Sequence, residues 1–118
     1  MNYSVTDGRL PIAQGDVIFV PIEALPEGEL EAVKPENGAY IVAHSETGHH
    51  HVILDRPTVK MFKGMDMFRD LLTVEETPAD VEHLRSVHTH QTVTLAPGAW
   101  EIVRPKAYTP QGWERARD

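Results

Sequence analysis

The chain has 118 residues, 41% of them hydrophobic and 25% charged, which fits one domain with a single core and excludes both intrinsic disorder and a fibrous protein. Its net charge is −7, and its Lys and Arg are scattered apart from a modest basic group at Arg104, Lys106, Arg115 and Arg117. A nucleic-acid partner needs a basic stripe to displace counterions from phosphates, so none is expected.

The chain contains no cysteine. Disulfides, iron–sulfur clusters, thiolate zinc sites and cysteine nucleophiles are thereby excluded, and any metal must be held by nitrogen and oxygen. No apolar run approaches the ~18 residues of a membrane span. The start "MNYSVTDGRL" lacks the basic and apolar regions of a secretory signal. A cytoplasmic protein with no membrane partner is the expectation.

In chain order, short β-like runs alternate with turn signals. "GDVIFVPI" opens them, with Val17 to Val20 bounded by Gly15 and the turn "LPEGE"; Pro21 marks a strand end or an edge because it cannot donate to a ladder. "LEAVK", "PENG" and "AYIVAH" read as a hairpin, since Asn37-Gly38 tolerates the positive φ of a tight turn. The loop "SETG" leads into "HHHVILD", followed by runs at "TVKMF", "LLTVEE" and "SVHTHQTVTL" and, after Pro97-Gly98, "AWEIVR". In "GMDMFRDLL", Met65, Phe68, Leu71 and Leu72 have helical spacing over barely two turns, so at most one short helix is expected there, with a loop as the other reading. The acidic stretch "PIEALPEGELEAVKPE" suits a solvated edge. The whole, 1–118, reads as a single all-β domain of about seven to nine short strands, a small β-barrel or a two-sheet sandwich, with a polar tail over 106–118.

Histidine is the residue type whose pattern carries chemistry. Four of the seven fall in "AHSETGHHH", an internal run with only three consecutive members, which is not the form of a purification tag. Strand side chains alternate faces, so His49 and His51 share one face and His50 takes the other. If "AYIVAH" and "HHHVIL" pair around Ser45 to Gly48, His44 lies opposite His49, and three imidazoles converge. In "SVHTHQTVTL" the same parity groups His88 and His90 with Thr92 and Thr94, opposite Val87, Val93 and Leu95. Two such pairs supply the three or four nitrogens of zinc, iron, manganese or nickel centres. Glu46 and Asp55 flank the cluster as carboxylates that could orient an imidazole or act as a base. His50 and His83 read as structural, and Trp100, Tyr40 and Phe19 as core or rim aromatics. Clustered histidines can also form a protonation-sensitive patch, their unperturbed pKa being ~6.5.

Two segments, "GDVIFVPI … YIVAHSETGHHHVI" and "HTHQTVTLAPGAWEIVRPKAYTP", resemble a family of small uncharacterised bacterial and phage-associated proteins. That family carries a leading Gly-Asp strand, an Ala-His-(Gly/Ser)-Glu-x-Thr-Gly-His-x-His stretch and a later His before Leu-Pro-x-Gly-x-Tyr-x-Val-x-Arg. The resemblance spans Gly15 to Ile53 and His88 to Pro110, about half the chain, and implies His44, His49, His51 and His90 as the recurring histidines. The loop after His44 is one residue shorter than the family's, Trp100 replaces a Tyr, and Pro105-Lys106 replaces Arg-Gln. A weaker likeness to cupins rests on His49, His51 and Asp55, but the second cupin histidine follows a Pro-x-Gly turn whereas His90 precedes Pro97-Gly98.

The expectation is therefore a protein that binds one divalent transition metal (Zn, Fe, Mn or Ni) through His44, His49, His51, His90 and His88. Catalysis is left undecided, and a small-molecule substrate and a homo-oligomer stay open. The alternative is a non-catalytic β module, phage or mobile-element related, whose histidines are solvated or pH-responsive.

Overall fold

The computed structural model of the chain describes residues 8–43, 50–66, 69–83 and 92–104, with backbone alone at 65, 66 and 83. Within them lie nine strands: β1 Ile12–Gln14, β2 Val17–Ile22, β3 Ala39–Ala43, β4 His51–Leu54, β5 Val59–Asp66, β6 Arg69–Val74, β7 Ala79–His83, β8 Val93–Leu95 and β9 Gly98–Val103. They form two antiparallel sheets, one in the order β1-β2-β9-β6-β5 and the other β3-β4-β7-β8. The β3–β4, β5–β6 and β7–β8 hairpins each stay within one sheet, and the chain crosses between sheets from one hairpin to the next. Of the two expected architectures, the chain takes the two-sheet sandwich.

Alternation explains the core. Val17 and Phe19 of β2, Val59 and Met61 of β5, Leu72 and Val74 of β6, and Trp100 and Ile102 of β9 turn one face inward. They meet Tyr40, Val42, Ile53, Val81 and Leu95 from the other sheet in one apolar cluster. Full burial of each such side chain contributes about 1.5–3 kcal/mol. Pro21 pairs with Trp100 of β9, while β1 reaches no further along β2 than Phe19, so the missing N–H costs no ladder bond to β1.

The "PENG" turn forms as its residues require: Asn37 and Gly38 have φ of 52° and 81°, and Glu36 and Ala39 exchange backbone hydrogen bonds of 2.7 and 3.0 Å. The arm before it departs from expectation. "LEAVK" does not pair along β3; Val33 N donates to Met61 O (2.8 Å) and Lys63 N to Glu31 O (2.8 Å), so the segment covers the outer edge of β5. Val33 packs on the core from there.

Of the two readings of "GMDMFRDLL", a short helix or a loop, neither describes what forms among the described residues, where the segment belongs to two paired strands. Gly64 to Asp66 end β5 and Arg69 to Leu72 begin β6, paired Asp66 to Arg69, and no helix occurs among the described residues. A bulge between Lys63 and Asp66 breaks the period of two and so imitates a helical spacing.

Candidate metal centre

β3 and β4 pair with Ala39 opposite Leu54, Tyr40 opposite Ile53 and Ile41 opposite Val52. Continued, that register would set Val42 opposite His51 and His44 opposite His49. A bulge intervenes, and Ala43 stands opposite His51 instead. Val42 and Ala43 are both buried as a result. The expected pairing of His44 with His49 lies outside the described residues.

His51 opens β4, and on its other side β7 sets His83 opposite it. β7 then pairs with β8 through Val81 and Val93. Ala43, His51, His83 and Val93 thus mark one end of the four-stranded sheet, and the connections 44–50 and 84–92 leave and rejoin the sheet there. All seven histidines of the sequence belong to these two connections or to the strand ends that bound them.

His51 is 8% exposed and shares the inner face with Ile53, whereas His50 helps line a hollow of about 340 Å³ on the outer face beside Ile41, Val52 and Leu54. The His51 ring is held by Gln14 of β1. Gln14 Nε2 donates to Val81 O at 2.9 Å, and Gln14 Oε1 lies 2.7 Å from His51 Nδ1. A carbonyl oxygen only accepts, so Val81 fixes which way the amide faces; Oε1 also only accepts, so Nδ1 must carry the hydrogen. In the neutral ring the lone pair then belongs to Nε2. This is the second-partner arrangement that orients metal-binding imidazoles, an N–H donated to an oxygen while the other nitrogen serves as ligand. Gly15 follows with φ 61° in the β1–β2 turn, and the position of a Cβ there would be 3.6 Å from His51 Cε1, which keeps the backbone against the ring.

A second buried polar group secures the bulge. Arg104, 7% exposed, donates from Nε to Val42 O (2.8 Å) and from Nη2 to Asp70 Oδ2 (2.7 Å). Asp70 Oδ1 accepts from Gly64 N at 3.0 Å. Arg104 therefore ties the β3 bulge beside His51 to the β5 bulge in the other sheet.

Of the residues expected at the site, His51 stands at this end, and His44, Glu46, His49, His88 and His90 lie outside the described residues. Asp55 follows β4, four residues from His51 and about 13 Å away along an extended strand. There it raises the pKa of Tyr40, alongside burial, and donates its own N–H to Gly38 O. No group of three or more histidine, aspartate or glutamate side chains able to hold an ion occurs among the described residues. Sequence reasoning overlooked Gln14, Asp70 and the position of His83, and took Arg104 only as part of a basic group. For two of them the signal was available: Gln14 follows Ile12 and Arg104 follows Ile102 at the spacing of two that marks the inner face.

Among the described residues no helix is long and apolar enough to cross a membrane. Comparison with curated proteins and with solved structures gave no match. A family model described as a domain of unknown function (DUF8820) matches residues 13–105. Its span takes in Gln14, His51, His83 and Arg104, the groups around which the histidine-bearing end is built, and the chain belongs to that DUF8820 family.

Proposed function

We propose that the protein binds one divalent transition ion, zinc, iron, manganese or nickel, at the histidine-bearing end of the four-stranded sheet. The observation that supports this reading is the held ring of His51: Gln14, itself fixed by Val81, makes Nδ1 the donor, as oxygen partners do for metal-binding imidazoles. His44, His49, His88 and His90, carried by the two connections that meet at this end, complete the ligand set, with Glu46 as the carboxylate nearest in sequence. An ion with an open coordination position would lower the pKa of a bound water, whereas four closed nitrogens would act as a structural staple. The cysteine-free composition fits a cytoplasmic setting, and the likeness of the His44 to His51 stretch to phage-associated proteins fits a phage or mobile-element origin.

Elemental analysis of untagged protein tests the reading. One ion per chain is expected, lost in the His49→Ala, His90→Ala double variant. Chelator should lower the melting temperature by roughly 10 °C, because an ion at 100 times its dissociation constant stabilises the native state by about 2.7 kcal/mol. Protein that purifies without metal and melts at the same temperature with and without chelator and added zinc would leave only the protonation-sensitive module.

A further inference from the structure

The outer face of the four-stranded sheet is divided in its chemistry. Tyr40, Val42, Ile53 and Val81 turn inward and are buried, so alternation sends Ile41, Val52, Leu54, Asp80 and Glu82 outward. A solvated face of an antiparallel sheet is ordinarily polar along its strands. Here β3 and β4 present aliphatic side chains, with Leu54 48% exposed, and β7 beside them presents two exposed carboxylates. The ladder carries one row across the boundary: Ile41 stands opposite Val52, and Val52 opposite Glu82. Two strand spacings, about 10 Å, separate the ends of that row. A hollow of about 340 Å³ lies over it, with Glu36 as a third carboxylate on its rim. Ligand-binding hollows span about 300–1,000 Å³.

We infer that this hollow docks an extended, arginine-bearing peptide segment of a partner protein. Aliphatic side chains of the segment pack on Ile41, Val52 and Leu54, and its guanidinium groups meet Glu36, Asp80 and Glu82. Charge complementarity selects this occupant, because the residues lining the hollow include those three carboxylates and neither lysine nor arginine. An arginine stem lies along apolar surface while its head reaches outward, and the guanidinium fork matches a carboxylate with two parallel hydrogen bonds. Thr94 Oγ1 donates to Asp80 Oδ1 at 2.7 Å, which steadies that carboxylate, and its other lone pairs suit a cation. Arg56 borders a smaller hollow of about 40 Å³ that shares Leu54, Asp80 and Glu82, so an incoming guanidinium competes with a resident one at that edge. A second copy is the poorer occupant: under two-fold symmetry the patch meets itself, carboxylate against carboxylate. Nucleic acid and anionic lipid are repelled by the same groups and by the net charge of −7. The surface lies on the face opposite the His51 side chain, so the inference does not depend on the ion.

The probe is the peptide acetyl-Arg-Ile-Arg-Val-Arg-amide, titrated into isotope-labelled protein and followed by amide resonance shifts. Shifts are expected at Ile41, Val52, Leu54 and Glu82 and not in β2 or β9, with an affinity that falls as NaCl is added. The Asp80→Asn, Glu82→Gln double variant, altered only at exposed positions, should bind roughly tenfold weaker. Leu54→Gln should bind several-fold weaker, and acetyl-Glu-Ile-Glu-Val-Glu-amide should shift nothing. No shifts on this face at millimolar peptide, equal binding of the acidic peptide, or wild-type affinity in the double variant would overturn the inference. A chain that self-associates in sedimentation and becomes monomeric in Leu54→Gln would give the face to a second copy and overturn it as well. None of these variants alters a histidine, so each of these results leaves the metal reading standing.

Discussion

Tyr40 is 7% exposed, with its hydroxyl 3.5 Å from Val59 O, and its pKa lies above the ordinary value, first because burial disfavours the phenolate and then because the Asp55 carboxylate repels it and accepts its hydrogen bond. The folded protein thus holds this proton more tightly than the unfolded chain does. Below pH ~10 both states keep it and the contribution is fully present; as pH rises from there through the folded value, the unfolded chain releases its proton first and stability is lost. Melting temperature should fall above pH ~10 more steeply in wild-type protein than in Tyr40→Phe, and Asp55→Asn should give an intermediate slope. Parallel curves for the wild type and Tyr40→Phe would show that the hydroxyl titrates alike in both states. The same contact gives Asp55 a role at the far end of β4 from His51.

Between strands, the two bulges and the guanidinium that joins them decide how His51 is presented. Arg104→Met would leave the Asp70 carboxylate, 14% exposed, with only the Gly64 N–H, and would strip Val42 O of its donor. Removing one partner of a buried pair costs about 3–5 kcal/mol, and urea unfolding should read a loss of that order; adding Asp70→Asn should recover part of it, since the neutral amide can still accept from Gly64. Gly64→Ala should destabilise by a different route, because a Cβ there would lie 2.3 Å from Arg69 O, backbone that cannot give way without moving β6. These elements also show what the sequence allowed to be read. β2, β5, β6 and β9 were legible because their apolar residues run unbroken or alternate cleanly, and "PENG" because only a tight turn wants Asn-Gly. β1 and β7 were not, since "IAQ" places a polar group on the inner face and "ADVEH" carries only two apolar residues, and such short, polar-rich runs read as loops. The helical spacing near Gly64 came from a bulge, which adds one residue to a strand without any mark in composition. His51 was legible by parity, but its support by Gln14 and its pairing with His83 are long-range facts that periodicity within one segment does not carry.

Across the whole molecule the excess of acid over base sets a field that local pairs barely offset. The exposed ion pairs described, Lys63 with Glu31 at 3.9 Å and Arg69 with Glu101 at 3.7 Å, are of the kind worth at most about 1 kcal/mol. Glu36, Asp80 and Glu82 all border the hollow on the outer face of the four-stranded sheet. The radius of gyration is 13.9 Å. The Debye length is ~30 Å at 0.01 M salt and ~10 Å at 0.1 M, so carboxylates on opposite sides repel at low salt and are screened from one another at moderate salt. Melting temperature at pH 8 in the presence of chelator should therefore rise with NaCl and level off above roughly 0.1 M, while the buried Arg104–Asp70 pair, shielded from ions, contributes equally throughout. A melting temperature that falls over the same range would mean that surface pairs outweigh the net charge of −7, and that the acidic outer face is already neutralised by neighbouring cations.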